Sequence, residues 1–352
     1  MNINDIHKVE LEITSNCNAA CPGCARTDAD SKGMLRVTDF SLADLQRMFP
    51  PEHCAKEFKF CGVLGDPAIH PEFVPMMEYL LENKAKIGIS TNGAVGTADM
   101  WKRIGELTYQ YENKVTTWFC IDGHKETNHI YRVNTKWNVL ERNLNAFHAA
   151  AKEQVHKATW VFIVFDHNEH ELEIAKDHAH RLGMKFATRT GMRNSYHTWI
   201  AQLGKKNDKV KKEITTTGTK EHSKKEQVEK LDNFIAKEDK TQEETSQILQ
   251  TIKCKLIHEG EIFISAEQTM WPCCFLSDSS VKNKEGILDK LAEYGSDWND
   301  LRVHSIDEIL AHPWFDKILA ESWDPNHNKH LTRCIRTCAY NKAYHNEVKV
   351  EA

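Results

Sequence analysis

No apolar run in the sequence approaches the roughly 20 residues that a membrane-spanning helix needs, so helical membrane classes are excluded. Neither sign of charge dominates: 46 Lys and Arg stand against 51 Asp and Glu, a net charge of -5. That balance gives no global pull toward nucleic acid or an anionic membrane, and neither partner is expected. The N-terminal stretch "MNINDIHKVELEI" carries acids and lacks an apolar core, which argues against a secretory signal. There are no internal repeats. The expected compartment is the cytoplasm, where thiols stay reduced.

In a reducing compartment, eleven cysteines read as metal ligands and buried thiols rather than disulfides. The 19 His residues are scattered and read as surface or satisfied core groups. Hydrophobic residues make up 40% of the 352 and charged residues 28%, the balance of a globular protein with a sizeable core. The length suits about two domains.

Strand patterns alternate with helix patterns along the first 200 residues. "KVELEIT" (8–14), "EFKFCGVLG" (57–65), "KIGISTNG" (86–93), "VTTWFCIDG" (115–123), "KATWVFIVF" and "KFATRTG" read as strands. Between them, "SLADLQRMF" (41–49), "PEFVPMMEYLLENK" with Pro71 in its first turn, a segment near 98–108, "NVLERNLNAFHAAAKE" and "EHELEIAKDHAHRLG" closed by Gly183 read as helices. About six βαβ units follow, so we expect an α/β fold, a partial (β/α)6 TIM-like barrel over 1–204. Chemistry then belongs at the carboxyl ends of the strands, where the conspicuous turns fall. Residues 205–250 are close to half charged and read as a solvated helix pair or linker, with a lid or docking segment as the alternative. Residues 251–352 form a small α+β domain, with "GEIFIS" as a strand and "SIDEILAHPWFDKIL" as a helix.

Cys17, Cys21 and Cys24 put three thiols on one short loop. A structural zinc takes four protein ligands. A four-iron cluster held by three cysteines has one iron open to another ligand, which a catalytic cluster needs. Zinc-bound or unrelated thiols are the alternative. Cys54 and Cys61 read as buried thiols.

The Cys-x3-Cys-x2-Cys loop after a first strand resembles the signature of the radical S-adenosylmethionine (radical SAM) superfamily. The resemblance extends over about residues 8–200. "FKFCGVLGDPAIHPEF" is similar to the second-strand motif, usually Gly-Gly-Glu-Pro, with Leu64 at the first Gly and Asp66 at the Glu. "STNG" (90–93), "FCIDGHKETNHIYRV" and "FIVFDHN" resemble the third-, fourth- and fifth-strand segments. The resemblance implies a [4Fe-4S] cluster on Cys17, Cys21 and Cys24. It implies S-adenosylmethionine (AdoMet) binding by Gly65, Asp66, Pro67, Ser90, Asn92, Cys120, Asp122, Arg132 and Asn168, with Arg132 pairing the methionine carboxylate and Asn168 facing the adenosine. Cys120 stands where a Ser is usual, and Gly23 where an aromatic residue is common.

The later part, with "CKLIHEGEIFISAEQTMWPCCF" and "CIRTC", resembles the Twitch form of the SPASM extension, which holds an auxiliary iron-sulfur cluster. Cys254, Cys273, Cys334 and Cys338 are then the ligands, Cys274 is a spare able to exchange with Cys273, and Gln268 stands at the pattern's Gly. A four-cysteine zinc site is the alternative.

The implied activity is reductive cleavage of AdoMet to a 5′-deoxyadenosyl radical that abstracts hydrogen from a substrate. The expected substrate is a peptide or protein side chain. The alternatives are a carbohydrate, nucleotide or cofactor precursor, and a non-catalytic iron-sulfur carrier or redox sensor. No obvious peptide-recognition domain precedes Lys8. A flavodoxin- or ferredoxin-type protein is the expected reductant.

Overall fold

Successive strand residues point to opposite faces, and in this chain the two faces differ in kind. In the computed structural model, which describes residues 1–165, 167–189, 225–277, 295–326, 330–340 and 348–351, the chain divides into two units. One comprises Leu11–Lys220 with Glu347–Ala352, the other Met1–Glu10 with Glu221–Asn346.

The first unit is a partial (β/α)6 barrel. β1 (Lys8–Leu11) ends in it, where Leu11 accepts a hydrogen bond from the Cys61 N–H at 3.0 Å. Then come β2 (Glu57–Phe60), β3 (Lys86–Thr91), β4 (Val115–Cys120), β5 (Ala158–Ile163) and β6 (Lys185–Arg189), with β2 to β6 parallel to their neighbours. β9 (Val348–Glu351) closes the edge antiparallel to β6. Thr190 and Gly191 of the expected last strand lie outside the described residues.

Helices α1 (Ala25–Ser31), α2 (Leu42–Met48), α3 (Phe73–Glu82), α4 (Ala98–Gln110), α5 (Asn128–Tyr131), α6 (Trp137–Ala151) and α7 (Leu172–Arg181) lie between the strands. α2 starts where a Ser predicts it: Ser41 and Asp44 form a reciprocal capping box. Pro71 does not enter α3, which begins at Phe73.

Register places Phe58, Ile87, Val115, Phe119, Trp160 and Phe186 on one sheet face, all buried. Edge-to-face ring contacts carry that face to the helices: Phe49–Phe58 at 5.0 Å, Phe60–Phe73 at 5.2 Å and Phe119–Phe147 at 5.5 Å. The opposite face carries Gly88, Ser90, Thr116, Trp118, Cys120 and Arg189, only half-buried or exposed, and is the interior side of the barrel.

The second unit contains β7 (Glu261–Ile264) antiparallel to β8 (Met270–Trp271), with helices α8 (Lys225–Ala236), α9 (Gln242–Leu249), α10 (Lys255–Glu259), α11 (Ile306–Leu310) and α12 (Thr332–Cys338). The charged stretch expected as a solvated helix pair or a linker forms two helices in its described part, and Leu231, Phe234, Ile248 and Leu249 are buried there. Its residues 205–224 lie outside the described residues. The single helix expected over "SIDEILAHPWFDKIL" is two pieces: α11 stops at Leu310 and a π-turn begins at Trp314. Pro313 lies between them, and a proline has no N–H to continue a helix.

α4 crosses α6 at Gly105, where an added Cβ would stand 2.6 Å from the Phe147 carbonyl oxygen and 2.8 Å from the Ala150 Cβ. Ala usually favours a helix over Gly by about 1 kcal/mol, but here the methyl meets backbone that cannot turn aside. We expect Gly105→Ala to destabilise the protein by about 1–3 kcal/mol, seen as a lower urea midpoint with unchanged slope. A raised midpoint would show that the helices can part at no cost.

Candidate functional site

The Cys17–Cys24 loop leaves the end of the first strand and is held by its neighbours' backbones. Cys24 N–H donates to Cys21 O at 3.1 Å, Ala20 N–H to Val133 O at 3.0 Å, and Thr27 Oγ1 to Cys21 O at 2.8 Å. The three thiols converge. Ala19, Cys21, Tyr131 and Phe165 form one buried cluster, with Cys17, Cys24, Ile130 and Ile163 packed against it. No disulfide joins any cysteine among the described residues. Burial first, and Asp66 second, push the Cys17 thiol up to about 12. Burial pushes Cys21 up to about 11, with Arg132 opposing.

Two buried carboxylates organise the strand ends around this loop. Asp66 accepts from Thr91 Oγ1 at 2.9 Å, Asn92 N–H at 2.8 Å, Asn92 Nδ2 at 2.8 Å and Ala68 N–H at 3.1 Å. Burial pushes its carboxyl up against those donors. Asn92 Nδ2 also donates to Asn18 Oδ1 at 2.8 Å and lies 3.9 Å from the Cys17 sulfur. Gly65 is required by close approach: a Cβ there would sit 1.8 Å from the Thr14 carbonyl oxygen. Glu12 Oε1 fixes the same turn by accepting from Leu64 N–H at 2.6 Å. Buried Pro67 follows Asp66 and starts a one-turn helix.

Asp122, fully buried, accepts from Arg132 Nε at 2.7 Å and Ile163 N–H at 2.7 Å. Arg132 Nη1 lies 3.6 Å from the Cys21 sulfur. Burial pushes the Asp122 carboxyl up, with Arg132 the largest opposing influence. Asn168 is held entirely by backbone partners. Its Oδ1 accepts from Phe165 N–H at 2.7 Å, and its Nδ2 donates to Asp122 O and Ile163 O, both at 2.9 Å. Fully buried, it ties the β5 loop to the β4 turn. Ser90 and Cys120 are half-buried on the interior face. Burial pushes the Cys120 thiol up.

Sequence reasoning missed Glu12, Asn18 and Thr91, whose contacts are long-range and leave no local signal. Beside the loop, Tyr131 and Phe165 pack with ring centroids 4.6 Å apart, and His167 is stacked on Phe165 at 5.1 Å.

In the second unit, Cys254, Cys273, Cys334 and Cys338 line one cavity with Trp323 and Leu319. Burial pushes the Cys273 thiol up to about 12, and nearby Cys338 and Cys254 add to it. Cys334 is raised well above the usual thiol range by burial, then by Cys273 and Cys338. Cys274 faces elsewhere, toward Glu10 and Lys255, so the adjacent pair is divided and Cys273 joins the other three. Gln268 holds φ +59°, which explains why a Gly suits that position. Of the two lone cysteines, Cys54 is buried and donates to Phe49 O at 3.2 Å, while Cys61 is only half-buried.

Among the described residues, the His, Cys, Asp and Glu group whose ligand atoms all lie within 4.8 Å of one another is Glu126, His170 and Glu171.

No protein-family model matches the chain. A curated relative, the tungsten-containing aldehyde ferredoxin oxidoreductase cofactor-modifying protein of Pyrococcus furiosus, is 35% identical over 101 residues, which is 28% of this chain and 27% of the relative. The match thus spans about a quarter of that relative's length. Among solved structures, native anSMEcpe with bound AdoMet is similar with a TM-score of 0.50 at 13% identity, covering 95% of this chain and 89% of that one. Streptococcus suis SuiB bound to precursor peptide SuiA gives 0.50 at 11% identity, covering 78% and 61%. At these identities the likeness is one of fold. No described helix is long and apolar enough to cross a membrane.

Glu171 clamps the turn after β4, accepting from His124 N–H at 2.7 Å, Glu126 N–H at 3.1 Å and the Thr127 hydroxyl. Burial alone would raise its carboxyl, but those donors outweigh it and hold it below the usual range. A depressed folded-state pKa gives stability that is complete above the unfolded value and is lost as pH falls through the folded one. We expect Glu171→Ala to cost about 1–3 kcal/mol at neutral pH, with the difference from wild type shrinking in urea titrations repeated at progressively lower pH. A pH-independent difference would mean that the carboxylate's charge is irrelevant to the clamp.

Proposed function

We propose that this chain is a radical SAM enzyme acting on a peptide or protein side chain. The observation that carries the reading is the convergence of three thiols on an Arg–carboxylate pair at the mouth of a partial barrel. Cys17, Cys21 and Cys24 would hold a [4Fe-4S] cluster. Bound together, that cluster and AdoMet would supply an electron and the 5′-deoxyadenosyl radical. The chain's part is to orient and to exclude water. Asp122 fixes Arg132 through Nε, leaving its outer guanidinium edge to meet a carboxylate. Asp66 holds the Gly65 turn and Asn92 in place beside Cys17, and Tyr131 and Phe165 make a dry wall next to the loop.

Cys254, Cys273, Cys334 and Cys338 would hold an auxiliary iron-sulfur cluster of the Twitch kind, supported by their shared cavity and by the φ +59° of Gln268. A flavodoxin- or ferredoxin-type protein would supply electrons in the cytoplasm. The peptide reading draws support from SuiB, which is similar in fold and is bound to a precursor peptide. A second reading, modification of a cofactor precursor, is favoured by the name of the Pyrococcus relative.

After anaerobic reconstitution and reduction, wild type should convert AdoMet to 5′-deoxyadenosine, measured by liquid chromatography, while Cys21→Ala should yield none. Wild type with its full iron complement but no 5′-deoxyadenosine, even with candidate peptides, would remove the enzyme reading.

Iron and sulfide analysis should find about eight irons per chain. Cys273→Ala should lower the count to about four, and Cys274→Ala should leave it near eight. About four irons with one zinc in wild type would instead assign the second thiol set to zinc.

A further inference from the structure

The interior face of the barrel carries two arginines near its mouth, and they are held in different ways. Arg132 is tied to Asp122 through Nε at 2.7 Å. Arg189 is the last residue of β6, opposite Ile163 in the register. Its guanidinium carbon lies 5.8 Å from the centroid of the Trp118 ring. Its Nε is buried and has no hydrogen-bond partner among the described residues. A buried donor without an acceptor costs about 1–3 kcal/mol, and more when charged. Such a cost is normally explained by a ligand, an ion or a catalytic role.

The described carboxylates at the mouth already have donors. Asp66 is committed to Thr91, Asn92 and Ala68, and Asp122 to Arg132 and Ile163. Trp118 supplies a different support. A cation over an indole face gains about 0.5–2 kcal/mol without using any N–H, so the donor edge stays available. Arg189 also stands close enough to Asp122 and Cys120 to favour their ionised forms, which places its charge beside the AdoMet-binding end of the strands.

We infer that Arg189, laid on Trp118, is the anchor for an anionic group of the substrate, whose oxygens its Nε and adjoining Nη would meet as a fork. Carboxylate and phosphate share that geometry. The inference rests on reading the barrel mouth as the AdoMet site and deepens it by requiring a negatively charged substrate. A peptide would meet the requirement with an Asp, a Glu or its terminal carboxylate, and a cofactor precursor with a phosphate.

The test is chemical modification of the reconstituted full chain by phenylglyoxal, which attacks accessible guanidinium groups, with each arginine followed by peptide mass spectrometry. Inorganic phosphate, sodium acetate and neutral acetamide are added separately at matched ionic strength. Modification of Arg189 should slow at least about fivefold, and saturably, with phosphate or acetate, as a charge-assisted contact requires. Acetamide should not protect it, and exposed Arg36 and Arg181 should react at unchanged rates. Protection by phosphate alone indicates a phosphorylated substrate, and by acetate alone a carboxylate. Arg189→Met should bind AdoMet within about twofold of wild type in equilibrium dialysis, well under the 1.4 kcal/mol of a tenfold change.

Protection by neither anion, or an Arg189 that never reacts because the protein already occupies it, would overturn the inference. So would a tenfold loss of AdoMet affinity in Arg189→Met, which would move the residue into the cofactor site. Failure of the AdoMet reading itself is seen separately, as wild type that does not bind AdoMet while phosphate or acetate still protects Arg189.

Discussion

The arrangement at the barrel mouth depends on one buried carboxylate. Asp122 stands just past the end of β4 with no exposed surface, and three chain segments meet on it. Its oxygens take the Ile163 N–H of β5 and the Arg132 Nε, its carbonyl takes the Asn168 amide, and its own N–H reaches Asn128. Arg132 extends the chain of contacts to Cys21. Burying such a pair is expensive, and removing one partner typically costs about 3–5 kcal/mol because the other charge is stranded. The pair therefore contributes position more than stability: it fixes where the positive edge of Arg132 stands relative to the cysteine loop.

Asp66 does the same work two strands over, with neutral partners. Its donors come from the turn that follows it and from Thr91 and Asn92 at the end of β3. Asn92 then reaches Asn18 and the Cys17 sulfur. Two carboxylates thus grip the cysteine loop from two sides, one through an arginine and one through an amide. The close passage of Gly65 against Thr14 is what allows the Asp66 turn to come near enough.

Much of this was legible in the sequence because strand ends announce themselves. The alternating runs end in Gly65-Asp66-Pro67, Thr91-Asn92-Gly93 and Asp122-Gly123, turns that only certain residue types can make. The three-thiol loop was legible because its spacing is local. What was not legible depends on contacts across long separations. Nothing near Asn168 says that its amide is spent on the backbone of Asp122 and Ile163. Nothing near Gly23 says that Tyr131 arrives from α5 and Phe165 from the loop after β5. The division of Cys273 from Cys274 is decided by Glu10 and Lys255 on one side and by three other thiols on the other, which adjacency in sequence cannot reveal. The break at Pro313 was readable, and the apolar periodicity on either side of it hid it.

The thiol environments also constrain how metal could be acquired. With Cys17 held near 12 and Cys21 near 11, both are neutral at physiological pH unless a cation compensates. Only thiolates ligate iron, so loading must release protons and becomes more favourable as pH rises. Arg132 lowers that barrier for Cys21, and Asp66 raises it for Cys17. Both acids that position the loop raise its thiols, Asp66 at Cys17 and Asp122 at Cys21, and Arg132 opposes them at Cys21. In the second unit the Cys334 thiol is raised by burial and by Cys273 and Cys338, and a side-chain hydrogen bond with Trp323 opposes them.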